Sequence, residues 1–81
     1  MEEEPYPVSE KIEVLDGKTI FKSDDWWSAV LLINSFGRKQ IATYLWNRYE
    51  EVWKRRQKFV VQNKEVWVKT KEAIESYLDK I

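Results

Sequence analysis

A chain of 81 residues with neither cysteine nor histidine has no disulfide, thiolate-zinc or imidazole staple, so whatever fold it reaches is closed by side-chain packing alone. A domain of this size buries only about 60–65% of the surface its unfolded chain exposes. Five tryptophans, four tyrosines and three phenylalanines supply the packing, since each buried aromatic covers about 150–250 Å². The same two absences remove the commonest general base, the commonest transition-metal ligand and the thiolate nucleophile. Gly17 and Gly37 are the only glycines, too few for a loop that cradles phosphate. Asp24 and Asp25 follow a serine, a pattern that reads as the first turn of a helix rather than a metal site. The expectation is a protein that is not an enzyme and uses no cofactor and no metal. No apolar run approaches about 18 residues, and the chain begins MEEEPYPVSE, acidic where a signal peptide is basic, which predicts a cytoplasmic, intracellular protein. Abundant charge, few amides and no cysteine suit a thermophilic or viral source.

Fourteen basic and fourteen acidic side chains cancel overall, but they are segregated. Residues 1–36 hold three lysines and eight carboxylates, whereas residues 37–70 hold nine lysines or arginines against three glutamates. Such asymmetry predicts one basic working surface beside an acidic flank. A solvated charged exterior with no such role is the alternative.

Residues 1–9 carry three glutamates and both prolines without an apolar period, and read as a flexible acidic tail before a single domain over 10–81. KIEVLDGKTIFK offers two β-rich runs about Asp16-Gly17, a strong hairpin signal. In SDDWWSAVLLINSFG, Ser23 is a candidate N-cap and Gly37 a stop, with residues apolar nearly all round between them, which predicts a buried helix. RKQIATYLWNRYEEVWKRRQK has no glycine or proline and is helical in composition, as one helix or two about a sharp turn. KFVVQNKEVWVK predicts a second hairpin around Asn63-Lys64. Thr70 then caps a helix over 70–81 whose stripe of Ile74, Tyr77, Leu78 and Ile81 lies on the core. The hairpin-plus-capped-helix plan recurs at an offset of 47 residues, with Lys11 matching Lys58 and Ser23 matching Thr70, which suggests a duplicated unit.

Within IATYLWNRYEEVWKRR, Ile41, Ala42, Leu45 and Val52 have the spacing at which two helices of a helix-turn-helix pack. Trp46 stands where such turns carry glycine, and Asn47 can take the left-handed conformation instead. The alternative is one amphipathic helix over 38–58 with a solvated basic end. From Gly37 to about Asp79 the order of elements, with Val66-Trp67-Val68 as a second wing strand and Ala73-Ile74-Glu75-Ser76-Tyr77-Leu78 as a terminal helix, resembles the excisionase and MerR-type winged helix-turn-helix family. The resemblance implies an α+β fold of order ββ-α-α-α-ββ-α, a winged helix with an added N-terminal hairpin. It also implies sequence-specific binding of double-stranded DNA, as a small regulator or recombination accessory factor and possible homodimer. Arg48, Tyr49, Lys54 and Arg55 would then enter the major groove, and Arg38, Lys39, Lys58, Asn63 and Lys64 would hold backbone phosphates. Glu50 and Glu51 are expected to pair with Lys54 and Arg55. The rival reading is a protein-interaction or dimerisation module, with Trp67, Val60, Leu15 and Ile20 as a sticky patch.

Overall fold

The computed structural model describes residues 5–81; residues 1–4 of the acidic tail lie outside the described residues. Four strands and one helix follow in order: β1 (Glu13–Lys22), β2 (Trp26–Ser35), β3 (Arg38–Tyr49), β4 (Val52–Val61) and α1 (Lys64–Leu78). The strands form one antiparallel meander in the order β1-β2-β3-β4. The winged helix-turn-helix expectation is therefore overturned: the chain is mostly sheet, and the three helices before the expected wing are not formed among the described residues.

The reason lies in the period of the apolar residues. In β2, Trp27, Ala29, Leu31 and Ile33 are buried on one face, while Trp26, Val30 and Leu32 lie on the other. A strand with both faces apolar reads as a run without alternation, as a buried helix does. In β3 the alternation is plain: Ala42, Tyr44 and Trp46 are buried and the residues between them are not. The segment is also dense in β-branched and aromatic residues, which favour a pleated surface. Leu45 and Val52, expected in one interhelical wedge, lie on separate strands. The expected duplication fails as well, because 11–34 forms a strand pair whereas 58–81 forms a strand end and a helix.

The turns also differ from the expectation, for a related reason. Asp16-Gly17 lies inside β1, and Gly17 pairs with Leu31. A Cβ on Gly17 would sit 2.7 Å from both Leu31 Cδ2 and Tyr6 Cε2, so this glycine serves close approach rather than a turn. Gly17→Ala is expected to cost about 1–3 kcal/mol through overpacking, read as a lowered urea midpoint. Ser23 makes the bond expected of a cap, accepting from the Trp26 N–H at 3.1 Å, but it does so in the β1–β2 turn. The β2–β3 turn is Phe36-Gly37, both at positive φ (53° and 78°), and the β3–β4 turn is Glu50-Glu51, at 51° and 66°. Two left-handed residues make the turn whose twist suits a hairpin, and non-glycine residues in that region carry about 1 kcal/mol of strain each. Replacing Glu50-Glu51 by Asn-Gly is expected to stabilise the chain by about 1–2 kcal/mol, with the denaturant slope unchanged.

The core is an aromatic stack on the inner face of the sheet. Trp46 lies 5.1 Å from Tyr44, nearly parallel, and 5.2 Å from Trp27, which meets Trp53 edge-on at 5.5 Å. Over it runs the segment before β1: Tyr6 sits 5.3 Å from Trp27 and 6.2 Å from Trp46, and Val8 and Ile12 pack against the same cluster. The expected tail thus includes residues that close the inner face.

The last segment is also redrawn. Asn63 is not in a hairpin loop: its Oδ1 accepts from the Val66 N–H at 2.9 Å and caps α1. Residues 64–69, expected as a wing strand, are helix, and Thr70 lies inside it. No α1 residue is buried, so the helix does not lie on the core, and its only substantial contact with the sheet is along β4. The radius of gyration is 14.2 Å, against about 12 Å for a compact chain of this length. Bulges interrupt β1 between Val14 and Asp16 and between Thr19 and Phe21, and a third shifts the β3–β4 register beside Leu45 and Trp46.

Candidate nucleic-acid interface

Register decides which charges share a face. Lys22 pairs with Trp27, Arg48 with Trp53, Arg55 with Trp46 and Lys58 with Tyr44, and partners across an antiparallel pair point to the same side. All four cations therefore stand on the inner, aromatic face, with Arg38 at its far end. Glu13 and Asp16 pair with Asn34 and Leu32 and belong to the opposite, open face. No carboxylate from the described strands stands on the inner face. Three of the cations sit over rings: Lys22 Nζ is 3.9 Å from the Trp27 centroid, Lys58 Nζ 5.5 Å from Tyr44 and Arg48 Cζ 6.0 Å from Trp53. At such distances the ring quadrupole attracts the cation.

Between the N-terminal segment and β4 lies a cavity of about 360 Å³, lined by Pro7, Val8, Ser9, Ile12, Tyr44 and Arg55. Tyr44 is 3% exposed and its Oη has no hydrogen-bond partner. A buried hydroxyl left unpaired costs free energy, so a ligand oxygen entering beside the Arg55 guanidinium would gain from both groups. Trp46 Nε1 is a second buried donor with no partner.

The sequence-predicted site residues fall into three groups. Arg48, Arg55 and Lys58 are brought together on the inner face of the β3–β4 hairpin. Tyr49 and Lys54 project from its other side, Lys54 Nζ 5.6 Å from the Tyr49 ring. Arg38 and Lys39 begin β3, while Asn63 and Lys64 are the cap and first residue of α1, so neither pair belongs to a wing. No recognition helix exists to carry Arg48, Tyr49, Lys54 and Arg55 into a groove. Helix-type pairing of Glu50 and Glu51 with Lys54 and Arg55 also goes, since the two glutamates form a turn. Sequence reasoning missed Lys22, Tyr44 and Trp53. The signal that would have found the latter two is the alternation of TYLWNRY and VWKRR about two central glutamates.

Fold and site together define a small open β-meander with an aromatic sheet face rimmed by cations. No family model, no curated protein and no solved structure matches the chain. Among the described residues, no group of three or more carboxylates could hold a metal ion, and no helix is long and apolar enough to cross a membrane.

Proposed function

We propose that the chain binds single-stranded nucleic acid along the inner face of the β3–β4 hairpin. The observation that carries this reading is the pairing, on one sheet face, of four cations with aromatic rings and with no strand carboxylate among them. Single strands are held by a positive groove that tracks phosphates and by aromatic planes that take unstacked bases, each base worth about 1–3 kcal/mol. Here Arg48, Arg55, Lys58 and Lys22 provide the charge. Trp53, half-buried at the hairpin, provides an aromatic plane beside Arg48, and Tyr44 Oη with Arg55 provides hydrogen bonding inside the cavity. Duplex DNA fits less well. The ribbon that would enter a major groove ends in Glu50-Glu51, two carboxylates directed at phosphates.

The test is binding of fluorescent single-stranded and duplex oligonucleotides, about 15 nucleotides long, across a salt series. The expected result is at least tenfold preference for the single strand, quenching of tryptophan fluorescence, and log K falling with log salt at a slope of about −3, as four phosphate contacts on a single strand predict. Equal affinity for both forms, or binding indifferent to salt, overturns the reading.

A further inference from the structure

We propose that α1 joins two copies of this chain, its apolar stripe lying across the open sheet face of the partner copy. At 100° per residue, Val66, Trp67, Thr70, Ala73, Ile74, Tyr77 and Leu78 share one side of the helix, and Glu65, Lys69, Glu72 and Ser76 share the other. The first turn of this stripe has a receptor in its own chain. Trp67 closes a groove of about 570 Å³ with Val30, Leu32, Ile41 and Val61 on the open face. Beyond that turn the stripe leaves the sheet: Ile74, Tyr77 and Leu78 are 52%, 63% and 53% exposed. The open face is likewise left bare, with Leu32, Ile41, Phe59 and Phe21 all exposed. The chain thus carries both halves of one apolar contact and joins them for a single turn.

Area and charge point to a second copy as the occupant. The accessible surface is 6944 Å², whereas a compact monomer of this mass exposes about 5,200 Å². The excess is larger than the roughly 800 Å² each partner contributes to a standard stable interface. A reciprocal contact of stripe on sheet is self-complementary and closes on two-fold symmetry, with no open end. α1 (Lys64–Leu78) holds three lysines and three glutamates. It neither repels its copy nor selects a partner of opposite charge.

The test is sedimentation equilibrium of the full chain beside two variants. The parent is expected at twice its 9.9 kDa monomer mass at micromolar concentration. Ile74→Glu with Leu78→Glu, on the stripe, is expected to raise the dimer Kd at least a hundredfold while the far-UV and tryptophan spectra of the sheet persist, since neither residue is buried. Val68→Glu, at an exposed apolar position opposite the stripe, is expected to remain dimeric. A parent that stays monomeric up to about 100 μM, a stripe variant that still dimerises, or a Val68→Glu chain that dissociates with it would each overturn the proposal.

Discussion

Trp46→Ala is expected to remove about 3–5 kcal/mol of the chain's stability, a large part of what it has at 25 °C. Trp46 is fully buried at the centre of the inner face, and its ring contacts Tyr44, Trp27 and Tyr6. Truncating a buried tryptophan costs about 3–5 kcal/mol, and a chain of this length has about 4–12 kcal/mol in total. One sheet face supplies every fully buried side chain, and only the short segment carrying Tyr6, Val8 and Ile12 covers it, so little can collapse into the cavity. The measurement is urea unfolding followed by far-UV circular dichroism. A cooperative transition within about 1 kcal/mol of the parent would show that the stack around Trp46 does not hold the sheet.

The second large effect is expected on binding. Exchanging Arg48, Arg55 and Lys58 together for alanine removes three of the five inner-face cations, all but Lys22 and the distant Arg38, and leaves every core ring in place. At physiological salt each phosphate contact on a single strand contributes about 0.6 of a decade through counterion release, so the triple variant is expected to bind about 50-fold more weakly, with the salt slope reduced by about 2. Lys54 and Lys39, on the open face, serve as the control: exchanging both for alanine should leave affinity within about twofold if the inner face is where phosphates are held. Equal losses in the two variants would mean that general charge, not the register of the hairpin, attracts the strand.

How legible these features were depends on which physical signal each segment carries. The aromatic content announced a core without staples, and the charge segregation along the chain marked 37–70 as basic, where four of the five inner-face cations lie. The stripe of Ile74, Tyr77 and Leu78 announced a helix. What failed was period. β2 places apolar side chains on both faces, which hides its strand character, and the neighbouring segment fits the same helical frame. In that frame Trp46 filled a turn and Arg48 faced a groove; in a frame of two, Trp46 is core and Arg48 lies beside Trp53. Asn63 illustrates a second ambiguity. The side chain that tolerates a tight turn is also the one that accepts an amide proton at a helix start, and only the residues after it decide. KEVWVK alternates over too short a stretch to distinguish the two.

The bulges described in β1 and β4 govern how such a sheet ends. An open meander has two border strands, each a row of unpaired amides and carbonyls on which another chain can add and propagate. Here one border is broken twice, at Leu15 and at Ile20, and the other is broken near Arg56 in a run of four cations, Lys54, Arg55, Arg56 and Lys58. Interrupted pairing on one side and charge on the other keep strands from stacking edge to edge into fibrils. A chain this rich in β-forming and aromatic residues is thereby held back from growing along the hydrogen-bonding direction beyond its four strands.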